Sequence, residues 1–341
     1  MRAGSENDDN IVKKEDDFVV FDGHTDIFTD VLVKRLEGET QVLEHHHLER
    51  LKKSGIEGSC AVLWIDPPYT SNYAKRLEQL LVAVKDEMDE CQGAVMVRNM
   101  ADIEAAKEAG EYYILLGAEG LSAIGEDTDK LDALYDFGLR HAMLTWNEEN
   151  CLASGACGNP DHGLTEAGKK MLRHMEAKHM IVDVSHLNEK SFWGVVDTVS
   201  CPIIASHSDV RALADVPRNL RDDQLKAIAE SGGFVGLNAF NEFISRDRAL
   251  QTSDQLIQHA LYMADLIGVD HIACGFDFTD FISYETAGSF SSEVNAATEG
   301  LENCLQVPTL MEKMRQAGFS EEDVEKIAYK NWHRVIQQVL Q

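Results

Sequence analysis

Short apolar runs recur along the chain, and the intervals between them are long enough to hold a helix. Eight such runs stand out, at residues 18–26 (FVVFDGHTD), 58–66, 112–120, 141–147, 179–186, 201–208, 232–240 and 271–278. They are almost continuously apolar rather than alternating, which is typical of strands that are covered on both faces. The pattern therefore predicts eight buried, parallel strands.

Amphipathic helical patterns occupy the intervals. Residues 73–92 place Leu77, Leu80, Leu81 and Val84 on one face, and residues 164–178 begin with Thr165 as an N-cap. Eight strand–helix units predict an α/β fold of the (β/α)8 TIM barrel type, with two extra C-terminal helices at about 306–317 and 320–340. A doubly wound open sheet is the alternative, but no glycine-rich phosphate turn follows the first run.

The chain shows no internal linker, so we expect one catalytic domain over residues 18–341. Residues 1–17 are polar and predict a disordered, acidic N-terminal tail. The 341 residues carry 59 acidic and 31 basic side chains, a formal charge of -28. This charge repels phosphate backbones and anionic membranes, so we expect neither nucleic acid nor a membrane as partner.

The chain has no apolar stretch of about 20 residues and no signal-peptide pattern at its start. Its seven cysteines are scattered, without a CxxC pair. This usage predicts reduced thiols in a cytoplasmic protein.

Polar residues end several of the apolar runs. Since the strand ends of such a barrel meet at one mouth, residues far apart in sequence would converge there. The set comprises His24, Asp26, Glu119, His186, His207 and Asp277. Three imidazoles and three carboxylates are costly to bury without a compensating cation. Nitrogen and oxygen ligands suit zinc, or another divalent ion such as manganese or cobalt, and their number predicts two ions.

Two such ions share a carboxylate and a bridging hydroxide, which would act as the nucleophile of a hydrolase. Asp277 would then accept the proton and pass it to the leaving group. Other histidines fall outside this set. The run His45 to His47 is interpreted as a solvated face, and His141 as a residue at the opposite end of the barrel.

The motifs around these residues resemble the membrane (renal) dipeptidase family, metallopeptidases of the amidohydrolase superfamily. The resemblance runs from about Phe18 to the C-terminus and rests on DGHTD, GAEG, VDVSHLN, IIASHSDVRAL with PRNLRDDQL, GFDF and NWHRV. It implies two zinc ions, one held by His24, Asp26 and Glu119, the other by Glu119, His186 and His207. Glu119 would bridge the ions, and Asp277 matches the catalytic aspartate.

The resemblance also implies a substrate. Arg218 matches the arginine that binds the free carboxylate of a dipeptide, and a planar guanidinium suits that contact. We expect hydrolysis of L,L-dipeptides, and the family's tolerance of a C-terminal D-residue extends this to L,D-dipeptides. Family members often pair, so a homodimer is an expectation as well.

Two departures from the family pattern bear on activity. Trp146 occupies the position of a histidine that polarises the scissile carbonyl in mammalian members. Asn147 or the second metal ion would supply this polarisation instead, or the carbonyl would be bound differently. Residues 277–280 read DFTD where many members have DFDG. The alternatives are an amidohydrolase acting on another amide or ester, such as an N-acyl amino acid, a cyclic amide or a lactone, or a metal-binding homologue with impaired catalysis.

Overall fold

A computed structural model describes residues 18–283, 286 and 297–340, so the predicted N-terminal tail lies outside the described residues. The strands are β1 (Val20–Thr25), β2 (Ile56–Trp64), β3 (Ala94–Val97), β4 (Tyr112–Glu119), β5 (His141–Met143), β6 (Ile181–Asp183), β7 (Ile203–Ile204), β8 (Val235–Leu237) and β9 (Ile272–Cys274). The α-helices are α1 (Ile27–Leu36), α2 (Leu48–Lys53), α3 (Tyr73–Glu90), α4 (Met100–Ala109), α5 (Thr128–Phe137), α6 (Glu166–Ala177), α7 (Glu189–Val196), α8 (Asp222–Glu230), α9 (Asn241–Ile244), α10 (Ser253–Ile267), α11 (Val307–Gln316), α12 (Glu321–Glu325) and α13 (Asn331–Val339).

Eight strands form a parallel barrel. One sheet has the order β1-β2-β4-β5-β6-β7, with β3 also paired to β4, and β8 and β9 form a second parallel pair. A bridge from Ala205 to Val235 joins the two sheets. On the other side, Phe276 N donates to Asp22 Oδ1 at 2.9 Å, which connects the chain after β9 to β1. The predicted (β/α)8 fold is confirmed.

The strands are apolar on both faces because each face packs against a different part of the core. In β2, Cys60, Val62 and Trp64 belong to the cluster inside the barrel, whereas Ala61 and Leu63 belong to the cluster beneath the surrounding helices. This double cover explains the continuous apolar runs of the sequence.

The C-terminal helix α13 closes the lower end of the barrel. The Trp332 ring lies 5.1 Å from Phe21 and 4.7 Å from Phe234, and its Nε1 donates to Cys274 O at 3.0 Å. A Cβ atom at Gly23 would come within 2.4 Å of Trp332 Nε1. The glycine of DGHTD therefore leaves room for this tryptophan.

The predicted helices are present, and Thr165 is confirmed as the N-cap of α6, where its side chain accepts a hydrogen bond from Gly168 N. The last predicted helix, at about 320–340, corresponds to α12 and α13, which are joined by a π-helical segment at Lys326–Lys330. In the described part of the chain, none of the helices has the length and apolar character of a membrane-spanning segment.

Two sequence interpretations are wrong in part. Strand β3 is additional to the eight predicted strands. His47 does not belong to a solvated face, since its side chain is buried and its Nε2 lies 2.7 Å from Asp30 Oδ2. His45 and His46 are exposed as expected.

Candidate metal and substrate site

The predicted site residues lie at the upper ends of the barrel strands, although several strands end earlier than expected. His24 is inside β1 and Glu119 is the last residue of β4. Asp26 is not in a strand but is the N-cap residue of α1. His186, His207 and Asp277 each follow the last residue of their strand by three positions. They project from the segments that follow the strands, whereas the sequence pattern placed them in the strands themselves.

The backbone explains part of this difference. His186 has a φ of 67° and Asp277 a φ of 58°, both in the left-handed region that non-glycine residues rarely adopt. A left-handed residue cannot continue an extended segment, so the chain changes direction at His186 and Asp277, and so do their side chains. Such conformations occur often at functional sites, where the surrounding structure holds them in place.

Glu119 contacts two histidines through one carboxylate oxygen. Its Oε1 lies 2.7 Å from His186 Nε2 and 3.6 Å from His207 Nε2, and the two histidine Nε2 atoms are 2.8 Å apart. Three potential ligand atoms from β4 and from the segments that follow β6 and β7 are therefore adjacent.

His24 lies among carboxylates on the other side of Glu119. Its Nε2 is 3.7 Å from Glu119 Oε2, 3.8 Å from Asp26 Oδ2 and 3.9 Å from Asp277 Oδ1. These separations are too long for hydrogen bonds. All six predicted residues thus lie in one cluster.

The cluster fits divalent cations. Both ring nitrogens of His24, Asp26 Oδ1 and Glu119 Oε2 are buried without a hydrogen-bond partner among the described residues. Ligand atoms of His24, Glu119 and His207 lie within 4.8 Å of one another, as do those of His24, Asp26 and Asp277. Zinc binds nitrogen and oxygen at about 2.0–2.2 Å, so two ligands of one ion are at most about 4.4 Å apart. The distances around His24 satisfy this limit.

The electrostatics of the cluster favour neutral imidazoles at His186 and His207. Burial lowers the pKa of His186 and of His207 well below the usual value, and the charges of Arg218 and His24 add to this effect. Neutral imidazole is the form that binds a metal ion. Burial also raises the pKa of Glu119 well above its usual value, and raises that of Asp277 to about 6. The positive charges of the protein alone are therefore insufficient to keep these buried carboxylates ionised, whereas a bound cation would favour the ionised form.

Several residues that the sequence analysis did not assign hold the site in position. Ser206 Oγ lies 2.8 Å from His207 Nδ1, and Asn238 Nδ2 donates to Asp277 Oδ2 at 3.2 Å. Asp183 Oδ1 accepts from the backbone amides of Ser185 and Ser206, which directly precede the two histidines. The sequence shows that these residues are polar and follow apolar runs, but it does not show which of them form hydrogen bonds with one another.

Asn147 contacts one of the predicted metal ligands. Its Oδ1 lies 2.9 Å from His186 Nδ1, so it is positioned to accept a hydrogen bond from that nitrogen and leave Nε2 free to bind a metal. Its neighbour Trp146 lines the cavity above the cluster, with its ring 5.5 Å from that of Trp64.

A cavity of about 270 Å³ opens at the cluster and is lined by Asp26, Glu119, His186 and Asp277. Arg218 lines it and is buried, and its guanidinium donates to His207 O at 2.9 Å and to Ser208 Oγ at 3.3 Å. Each of these bonds uses one of the two hydrogens on its nitrogen, so both nitrogens can donate to a ligand as well. The cavity thus combines a cation-binding floor with an anion-binding arginine.

A parallel (β/α)8 barrel with histidines and carboxylates clustered at its strand ends defines a metal-dependent hydrolase. The chain belongs to the membrane dipeptidase family (Peptidase family M19), whose family model matches residues 10–341. It is therefore a member of a family of metal-dependent dipeptidases, as the motifs indicated.

Known proteins similar to the chain support this assignment. An uncharacterized protein in the pqqA 5′ region of Klebsiella pneumoniae is 33% identical over 250 residues, which cover 71% of the chain and 87% of that protein. The structure of dipeptidase AC, a metallopeptidase, is 26% identical with a TM-score of 0.83, covering 95% of the chain and 99% of that structure.

A second solved structure shares the fold. It is a metallopeptidase from Rhodobacter sphaeroides liganded with a phosphinate mimic of the dipeptide L-Ala-D-Ala. This protein is 24% identical with a TM-score of 0.83, and the alignment covers 95% of the chain and 100% of that structure.

Proposed function

We propose that the protein hydrolyses L,L- and L,D-dipeptides with two divalent metal ions, most favourably zinc. One observation carries the proposal: Asp26 and Glu119, which have unpartnered buried ligand atoms beside His24, line the same cavity as the buried Arg218. The cluster suits cations, and the arginine suits the free carboxylate of a short peptide. The metallopeptidase liganded with a mimic of L-Ala-D-Ala is consistent with an L,D-substrate.

Each ion has a proposed set of ligands in the chain. His24 and Asp26 would hold one ion, His186 and His207 the other, and Glu119 would contribute one oxygen to each. Its Oε2 faces His24 and its Oε1 faces His186, as a bridging carboxylate requires. When bound, such ions supply a nucleophile near neutral pH and stabilise negative charge on a carbonyl oxygen.

Asp277 is the proposed proton carrier. Asn238 donates to its Oδ2, which leaves Oδ1 directed to the cluster, 3.9 Å from His24 Nε2. Oδ1 would accept the proton of the attacking water and later donate it to the nitrogen of the leaving residue. Since burial raises the pKa of Asp277 to about 6, it can both accept and release a proton near neutral pH.

Arg218 is the proposed ligand of the substrate carboxylate, and it would fix the peptide bond above the cluster. Trp146 and Trp64 would form the apolar wall beside the substrate. We place the enzyme in the cytoplasm because all seven cysteines are free.

The test is a hydrolysis screen of metal-supplemented protein with L,L- and L,D-dipeptides, N-acyl amino acids and lactones. We expect dipeptides to be preferred, with metal content near two ions per chain. Asp277→Asn should lower kcat by about 10²–10⁴-fold, because a positioned acid–base group contributes that much. Asparagine also tolerates the left-handed backbone of this position.

The role of Arg218 can be tested with Arg218→Lys and a C-terminal amide as control substrate. A lysine cannot bind a carboxylate bidentately, so kcat/KM for the dipeptide should fall about 10- to 100-fold. The dipeptide amide lacks the carboxylate and should be affected much less. Turnover of esters alone would favour the broader amidohydrolase alternative, and two bound metal ions without any turnover would favour an impaired homologue.

A further inference from the structure

The lining of the cavity includes an acidic residue that does not belong to the metal cluster. Glu242, in α9, lines the cavity and is exposed to solvent. Within the described residues, its carboxylate has neither an ion-pair partner nor a hydrogen-bond donor. The proposed mechanism has no use for this charge, since the reacting bond lies over the cluster.

Glu242 is held at a fixed position relative to Arg218. The ring of the next residue, Phe243, lies 5.3 Å from the Arg218 guanidinium. Asn219, which follows Arg218, donates from Nδ2 to Phe243 O at 2.7 Å. The amide of Glu242 donates to Asn241 Oδ1 at 2.9 Å. The backbone is thus fixed on both sides, while the carboxylate is free to meet a ligand.

The surface near this carboxylate is apolar. The cavity is also lined by Val216, Pro217, Phe240 and Phe243, which are close in sequence to Arg218 and Glu242. Among the described lining residues, Arg218 is the one cation, and it is assigned to the substrate carboxylate. An apolar wall that ends in a free carboxylate suits a side chain with a long aliphatic stem and a positive tip.

We propose that Glu242 selects dipeptides whose C-terminal residue is lysine or arginine. This proposal rests on the proposed dipeptidase function, because Arg218 must hold the substrate carboxylate for the C-terminal side chain to reach Glu242. The aliphatic stem packs on Phe240 and Phe243, and the ammonium or guanidinium pairs with the Glu242 carboxylate. An acidic C-terminal side chain meets like charge at the same position.

The test compares alanyl-lysine, alanyl-norleucine and alanyl-glutamate, each with an L- and a D-residue at the C-terminus. Norleucine has the same four-carbon stem as lysine but no charge. We expect the lysine substrate to exceed norleucine in kcat/KM by at least about fivefold, since an ion pair at a partly exposed site contributes modestly. Glu242→Gln should abolish this ratio, and Glu242→Lys should shift preference to the glutamate substrate.

A matched control is Glu230→Gln, which removes one exposed negative charge outside the cavity. This variant should keep the wild-type ratio of kcat/KM between the lysine and norleucine substrates. A change of that ratio in Glu242→Gln alone is then not an effect of net charge. Equal use of lysine and norleucine by the wild type, or the same ratio in Glu242→Gln, overturns the proposal while the dipeptidase function stands. Failure to hydrolyse any dipeptide overturns the function and this preference together.

Discussion

At the scale of single residues, the orientation of each histidine ring decides whether the cluster can hold metal. Asn147 Oδ1 lies 2.9 Å from His186 Nδ1, and Ser206 Oγ lies 2.8 Å from His207 Nδ1. In both histidines the second nitrogen, Nε2, faces Glu119. A partner at Nδ1 fixes the ring and its tautomer, and such partners are part of a metal site.

This geometry predicts a change in metal affinity for Asn147→Ala. The substitution removes the acceptor at His186 Nδ1, so the ring can rotate and the affinity should fall about 10- to 100-fold. The measurement is metal content after equilibration with a competing chelator. Asn147→Asp keeps an acceptor oxygen and should retain the metal. Equal affinity in all three proteins would show that Asn147 does not orient His186.

At the scale of secondary-structure elements, the sequence predicted the barrel strands but not all of their ends. Continuous apolar runs were informative because both strand faces are buried. β3 was missed because its four residues, Ala94–Val97, include two that are only half-buried. The positions of Asp26, His186 and Asp277 depend on local backbone conformation, which periodicity does not encode. Their approach to one another followed from the parallel topology.

The partners of the site were beyond sequence reasoning for a different reason. Asp183, at the end of β6, accepts hydrogen bonds from Ser185 N at 2.8 Å and Ser206 N at 3.2 Å. Its other oxygen lies 2.7 Å from His141 Nε2. These bonds join the chain after β6 to the chain after β7, and no spacing in the sequence reports such a contact.

We therefore predict that substitution of Asp183 lowers both the stability of the protein and its affinity for metal. Asp183→Ala leaves a buried histidine and two amides unpaired, so the free energy of unfolding should fall by about 3–5 kcal/mol. Asp183→Asn keeps an acceptor for the two amides, so its free energy of unfolding should fall by less. Denaturant unfolding and metal titration of both variants provide the measurements. An alanine variant as stable as the parent would contradict the role of this carboxylate.

His259 connects α10 to two other segments of the chain and makes stability depend on pH. His259, in α10, accepts from Val210 N at 3.0 Å and donates from Nε2 to Ile244 O at 2.8 Å. Burial lowers the pKa of His259 from 6.5 to about 4, although the bond to Ile244 opposes this shift. The folded protein therefore holds His259 neutral where the unfolded chain is protonated.

The sign of the pH dependence follows from this lowered pKa. The stabilisation is present in full above pH 6.5 and is lost as pH falls to about 4, a change of about 3 kcal/mol. Denaturant unfolding between pH 7 and 4 measures the decline. His259→Gln should be less stable at pH 7 but show a smaller decline. As a control, His46→Gln changes an exposed histidine, and its stability should decline with pH as that of the parent does. If the stability of His259→Gln declines as much as that of the parent, His259 is not the source of this pH dependence.

At the scale of the whole molecule, the metal cluster connects distant parts of the barrel. Its six residues come from β1, from β4, from the start of α1 and from the segments that follow β6, β7 and β9. Without cations, His24 is the main positive partner of Asp26, Glu119 and Asp277. Burial lowers the pKa of His24, but Glu119, Asp26 and Asp277 together raise it well above its usual value. The barrel mouth thus concentrates negative charge that bound cations would offset.

Metal removal should consequently destabilise the whole barrel and not only the site. A ligand that binds the folded state alone stabilises it by about 4 kcal/mol when its free concentration is 1,000 times Kd. Thermal unfolding with zinc and with a chelator should therefore differ in Tm by roughly 5–10 °C. Glu119→Gln, which removes the charge of the proposed bridging residue, should show a much smaller difference. If the parent unfolds at the same temperature with zinc and with chelator, the cluster does not hold metal, because binding by residues from so many elements must stabilise their arrangement.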